Sequence, residues 1–359
     1  MILLFIALIV VSVWGVRFIP NALSMDELNC FAKEQSTALN GVSILLVYIC
    51  HTWHLCLQPM GYESSNIFDS SFLFLKGHVK QLLVVTFLFY SGYGCVEQIK
   101  TKGSVYVDAL PVKRILVTWL NFAVAVVLFA LVHLLLGEDI SCKTILAAFT
   151  GLRQIGNPSW YIVCILWGYV AIYLVSKLLV KSRFRHNRIV LGGGVLAFML
   201  GYIVFAMIVK PGKTWWWDTA LVIPFGVFVS LYKEQISDFI KRYYWLILSL
   251  STLLFVVCYK LPISIRGTWY NVVSIFFMMS VLLITCRLRI NNQALQWLGC
   301  HVFPIYMYHM LFFLIARCLY TGPLSQGGAL FVVVASFALS VLTACYYHKW
   351  QITLKSFRK

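Results

Sequence analysis

The stretch Asn40-Gly41-Val42-Ser43-Ile44-Leu45-Leu46-Val47-Tyr48-Ile49-Cys50-His51-Thr52-Trp53-His54 decides how this chain is read. It lies in a long apolar run of the kind that crosses a bilayer as a helix, which takes about 20 residues. Near one end it carries an imidazole. Asn40 and His51 are close to three helical turns apart, so they share one face at a separation of roughly 16 Å. Gly41, Ile44, Val47 and Tyr48 fill that face, and Gly41 lets a neighbouring helix approach closely. An ionisable side chain at membrane depth is costly, which makes His51 a functional candidate.

The rest of the chain repeats the pattern. Of 359 residues, 61% are apolar, 16% aromatic and only 11% charged, whereas about a quarter of a soluble domain is charged. Disorder, a coiled coil and a small disulfide-stapled domain are excluded. Apolar runs mark eleven expected spans, near 2–19, 40–58, 81–98, 115–136, 160–178, 189–209, 215–232, 243–260, 268–286, 295–319 and 327–346. Segment 144–150 is too short to cross and is expected as a re-entrant or interfacial turn. The expected fold is an all-α polytopic membrane protein of about eleven transmembrane helices, a ten-helix core with one added N-terminal helix. Its parts are the added helix and connection (1–35), the transmembrane domain (36–347) and a basic tail (348–359).

The net charge of +17 does not point to nucleic acid, because the basic residues sit in short clusters between apolar runs. Sorted by connection, 20 of the 29 fall on one side and 9 on the other, which puts the first set and the C-terminus in the cytoplasm. No basic residue precedes the first apolar run and Arg17 follows it, so the first helix is expected to be retained with its N-terminus outside, not cleaved as a signal peptide. None of the eleven Cys forms a CxxC pair; they read as small buried side chains, and no metal site is expected.

A second histidine, His309, sits in Phe303-Pro304-Ile305-Tyr306-Met307-Tyr308-His309 at a depth that lets it face the same cavity as His51. A neutral imidazole is the side chain best suited to take a proton from a hydroxyl near pH 7. His54 lies one turn nearer the interface, and His133 reads as structural. Lys213-Thr214-Trp215-Trp216-Trp217-Asp218 reads first as an interfacial aromatic belt, and second as a place where aromatic faces and Asp218 hold a sugar.

These residues resemble the acyltransferase 3 family of integral membrane acyltransferases over about residues 36–345. The second span is similar to the family's first core helix, Gly-rich at its start with a His near its end. Phe89-Tyr90-Ser91-Gly92-Tyr93-Gly94 resembles its aromatic-Ser-Gly-aromatic motif, and Lys113-Arg114 the basic patch that follows. Pro158-Ser159-Trp160-Tyr161-Ile162-Val163 looks like its Trp-aromatic-Leu helix start. Leu295-Gln296-Trp297-Leu298-Gly299 with Ile305-Tyr306-Met307-Tyr308-His309 resembles its late Leu-Gly…aromatic-Tyr…His signature. Two positions depart from the family. Asn40 stands where Arg or Lys is usual, and Val117 stands where an Arg-x-x-Arg pair would be completed. Asn40 offers a hydrogen bond in place of a charge.

The resemblance implies transfer of an acyl group, commonly acetyl, from cytoplasmic acyl-CoA to a hydroxyl of a cell-envelope carbohydrate, in a bacterial inner membrane. It makes His51 and His309 the catalytic candidates, with His51 as general base or acyl carrier. Asn40, Lys102, Lys113 and Arg114 become the candidates for the acyl-CoA donor, acetyl-CoA among them. Tyr48, Ser91, Trp160, Tyr161, Asp218 and Tyr308 become those for substrate. Expected partners are acyl-CoA, a glycan or lipid-linked sugar and the lipid bilayer, with a homo-oligomer left open. The rival readings are a transporter or flippase and a catalytically silent relative.

Overall fold

The structure is a computed structural model that describes residues 2–20, 23, 28–63, 67–180, 187–261, 266–320, 322 and 324–356. Of the basic residues that set the expected sidedness, Lys181, Arg183, Arg185, Arg358 and Lys359 lie outside them. The described residues form α1 (Ile2–Val13), β1 (Val16–Phe18), α2 (Lys33–His51), α3 (Ile67–Val79), α4 (Val85–Leu110), α5 (Val117–Leu135), α6 (Cys142–Phe149) and α7 (Ser159–Val180). There follow α8 (Arg188–Val209), α9 (Val222–Leu231), α10 (Lys233–Lys260), α11 (Arg266–Arg287), β2 (Leu288–Ile290), α12 (Gln293–Cys300), α13 (Val302–Leu319) and α14 (Gln326–Ser356). Eight of the helical stretches described are long and apolar enough to cross a membrane. The chain is a multi-pass helical membrane protein, with one short strand pair among the described residues.

Most expected spans find their helix, and the departures have physical causes. The first, expected over 2–19, is helical only to Val13; residues 16–18 leave the helix to pair antiparallel with Leu288–Ile290. Twelve helical residues extend about 18 Å, short of the roughly 30 Å hydrocarbon layer. The spans at 81–98 and 115–136 lie in one continuous 55-residue stretch, Gln81–Leu135. It bends at Gly103 (φ 57°, ψ −139°), a conformation that glycine adopts without a Cβ penalty. The span at 215–232 is α-helical only over the ten residues of α9, after a single 3-10 turn at Thr214–Trp216. The span at 295–319 is two helices, broken at His301 (φ −114°, ψ 21°). Pro304 then falls in the first turn of α13, where a missing N–H costs nothing. The short segment at 144–150 lies largely within α6, capped by the Ser141 hydroxyl.

Apolar side chains face both inward and outward, as expected of helices in lipid. Leu135, Phe331 and Val105 are exposed while Phe89, Phe122 and Phe129 are fully buried. Lipid tails are as apolar as Leu, so close backbone approach must hold such helices together. Two crossings supply it. A Cβ on Gly41 would lie 2.0 Å from the Leu295 carbonyl oxygen, and one on Gly299 would lie 1.8 Å from that of Thr37, so α2 and α12 touch backbone to backbone. In α4 and α9, a Cβ on Gly92 or Gly226 would come within 2.3 Å of the Ile223 oxygen or 2.2 Å of the Phe89 oxygen. The first crossing fixes the register of α2, and with it the position of His51.

These contacts carry a stability prediction. Gly226→Ala should lower the thermal unfolding midpoint of the purified protein, since overpacking a close contact costs about 1–3 kcal/mol. Gly193→Ala, where nothing lies within 4 Å, should leave the midpoint unchanged. Equal midpoints for the two variants would contradict the crossing.

Candidate active site

His51 is the last residue of α2, and the chain continues through Leu57 as a π-helix. A π-turn widens the helix and re-aims its side chains, and such turns recur at functional sites. A second π-segment, Pro111–Leu116, carries Lys113 and Arg114.

His51 meets His309 of α13. Its Nδ1 is 2.9 Å from His309 Nε2, with the two rings nearly parallel at 17°. His309 is fully buried, and its Nδ1 donates to the Ile305 carbonyl at 2.8 Å. A carbonyl only accepts, so Nδ1 carries the proton of an uncharged His309 and its Nε2 holds the lone pair. His51 must then donate from Nδ1, which leaves its Nε2 as an unprotonated base. That ring lines a cavity of about 520 Å³, together with His54, Lys76, Gln81, Trp160, Trp215 and Asp218. The arrangement is a base held by a second imidazole, which is in turn held by a backbone carbonyl.

The cavity wall is polar at several points. Asp218 is buried, and its Oδ1 has no hydrogen-bond partner. His54 donates from Nδ1 to the Cys50 carbonyl at 3.0 Å and sits edge-on to His51 at 5.6 Å. Lys76, on α3 outside the spans, is held below the ordinary lysine range by burial. Two of the three consecutive tryptophans, Trp216 and Trp217, are buried, so the segment is not a plain belt.

The other candidates divide. Trp160 lines the cavity. Tyr161 is buried behind it, its ring 5.0 Å from that of Tyr306. Tyr48 turns away: its hydroxyl donates to the Val333 carbonyl at 2.6 Å and its ring packs on Phe313, Phe337 and the edge of His309. Ser91 is back-bonded to the Phe87 carbonyl at 2.7 Å. Tyr308 is buried, while Tyr306 lies beside both histidines, its ring 6.2 Å from that of His51 and 6.1 Å from that of His309. The Tyr306 hydroxyl is buried and unpartnered. Its spacing of three from His309, which puts both on one helix face, was the signal available in the sequence. His133 is clasped between the Glu138 carboxylate (2.6 Å) and the Ile155 carbonyl (3.0 Å), a structural role.

The donor candidates do not gather at this cavity. Asn40 lies beside the α2–α12 crossing with a buried, unpartnered Oδ1. Arg114 donates from Nε to the Tyr106 hydroxyl at 3.2 Å and lies 5.9 Å over the Tyr169 ring, while Lys102 and Lys113 are exposed. A separate cavity of about 520 Å³ opens near them, lined by Lys100, Gly103, Ser176, Asn187, Arg188 and Lys233 among others. Sequence reasoning did not single out those three cations as a group, because 133 positions separate Lys100 from Lys233. Glu97 pairs two of them, at 3.0 Å from Lys100 and 3.8 Å from Lys233. The two cavities share no lining residue. Among the described residues, no group of three His, Cys, Asp or Glu is placed to hold a metal ion.

A family model described as an acyltransferase domain matches residues 36–346. Comparison with curated proteins and with solved structures returns no match.

The hydrogen-bond chain fixes the tautomers, and this can be measured. In protein labelled with ¹⁵N-histidine, both His51 and His309 should show protonated Nδ1 and unprotonated Nε2 when neutral. A spectrum with His51 protonated at Nε2 would contradict the arrangement.

Proposed function

This chain belongs to the acyltransferase 3 family, and from that premise we propose that it moves an acyl group, commonly acetyl, from acyl-CoA to a hydroxyl of a cell-envelope carbohydrate in a bacterial inner membrane. The observation that carries the reading is the free Nε2 of His51 at the rim of the cavity, backed by His309. A base so placed can take the acceptor's hydroxyl proton as the oxygen attacks the thioester carbonyl. The imidazolium that forms is stabilised by its hydrogen bond to His309, and it returns the proton to the departing thiolate of CoA. The buried, unpartnered Tyr306 hydroxyl, on a ring 6.2 Å from that of His51, is the donor we assign to the oxyanion that develops.

On this reading Trp160, Trp215 and Asp218 hold the acceptor in the cavity. The sidedness of the basic residues puts that cavity toward the outside and the Lys100–Arg188–Lys233 cavity toward the cytoplasm. The phosphates of acyl-CoA are then received on the inner face, by Arg114, Lys113 and Lys102 or by the cations of the inner cavity. Asn40, about 16 Å along α2 from His51, can donate a hydrogen bond to the arm between them. Because the cavities share no lining, the core between them has to open for the thioester to reach His51.

A transporter is the rival that two separate cavities on opposite faces would suit, and turnover separates the two. Purified protein with acetyl-CoA and the acceptor glycan should release free thiol, whereas a transporter would move labelled substrate across vesicles unaltered. His51→Ala should lose transfer by about 10²–10⁴-fold, the usual contribution of a general base, while expression and helicity stay unchanged. Unchanged ester formation in that variant would end the proposal.

A further inference from the structure

The connection between α8 and α9 has two faces. Thr214 and Trp215 line the His51 cavity. The next residue, Trp216, lines another of about 330 Å³ with Leu152, Arg153, Gln154, Lys210 and Lys213. Three cations therefore meet at one pocket, with no acidic residue in its lining. Among the described residues, no ion pair engages any of them. Sorting by connection puts this pocket on the side that holds only 9 of the 29 basic residues. A topology anchor belongs on the other side, so membrane insertion does not account for the cluster.

The pocket is built as well as charged. Lys210 Nζ donates to the Leu152 carbonyl and lies 5.0 Å from the centroid of the Trp216 ring, which holds the ammonium in place. Trp216 is 2% exposed, and its indole N–H is buried with no partner. Burial, together with the facing charges of Lys213 and Arg153, holds Lys210 below the ordinary lysine range. Like charges so gathered in one cavity are relieved when an anion enters.

We propose that this pocket binds a phosphate or carboxylate group of the acyl acceptor, so that the acceptor is an anionic carbohydrate. The inference rests on the acyltransferase reading, since the acceptor is that reaction's second substrate. A single molecule can span both sites because consecutive residues of one short segment line them, Lys213 and Trp216 the one and Thr214 and Trp215 the other. The anion sits against Lys210, Lys213 and Arg153, and a hydroxyl elsewhere on the same glycan reaches His51 past Trp215. Arg153 offers a planar fork to the anion and the two lysines offer point charges.

The test is calorimetric titration of the full chain in phosphatidylcholine nanodiscs with trigalacturonate, inorganic phosphate and, as the neutral control, maltotriose. At least one anion should bind, more weakly as salt rises, while maltotriose should not. Binding should fall at least tenfold in both Lys213→Gln and Arg153→Gln, whose elution on gel filtration should match the parent. It should persist in His51→Ala, so that failure of the catalytic proposal and failure of this one are read separately. A repeat in nanodiscs containing phosphatidylglycerol separates glycan from lipid: the glycan anion should still bind there. Binding of neither anion, equal binding of maltotriose, anion binding untouched by both substitutions, or blockade by phosphatidylglycerol would overturn the proposal.

Discussion

The hydrogen bond from His51 to His309, anchored in turn on the Ile305 carbonyl, is the interaction on which the rest of the site depends. It links α2 to α13, and it requires both helices to hold their register. The α2–α12 crossing at Gly41 and Gly299 sets one side of that register. The break at His301, with its Nδ1 donating to the Trp297 carbonyl at 2.7 Å, sets the other by letting α13 leave the direction of α12. A single straight helix over 295–319 would tie the position of His309 to the α2–α12 contact. Two helices let one make the crossing and the other present the imidazole.

Much of the fold was legible because bilayers impose coarse rules: apolar length, scarce charge and glycine where backbones touch. Gly41 announced a close approach, and Gly103 sits in a run with Lys100 and Lys102 that reads as a connection. The misreadings came where an apolar run is compatible with more than one structure. Val16 and Phe18 continue the hydrophobicity of α1 on either side of Arg17, and only the distant partner Leu288–Ile290 makes the segment a strand. Pro304 fits either a kinked long helix or the first turn of a new one, and the dihedral angles of His301 decide between them.

The site was legible in its histidines and less so in its surroundings. His51 and His309 stood out as imidazoles at membrane depth, whereas their direct contact is a tertiary fact. Tyr48 and Ser91 carried motif positions, yet each spends its hydroxyl on a backbone carbonyl. Tyr306 carried no charge to attract notice, and its importance lies in a hydroxyl left without a partner. The cations were the hardest to read. Lys100 and Arg188, and separately Arg153 and Lys210, are brought together by folding across long sequence separations, and spacing along the chain cannot show it. Charge is thereby divided between two ends of the molecule, a partition that suits an anionic donor on one side and an anionic acceptor on the other.

The central claim, that the two imidazoles act as one base, is tested most directly by a double-mutant cycle on acyl transfer, using His51→Ala, His309→Ala and the pair. Residues that act as a unit lose their effect together. The account predicts that the double variant retains the same residual rate as His51→Ala alone, with expression and helicity unchanged throughout. A double variant slower by the product of the two single losses would mean that the histidines contribute independently, and would contradict it.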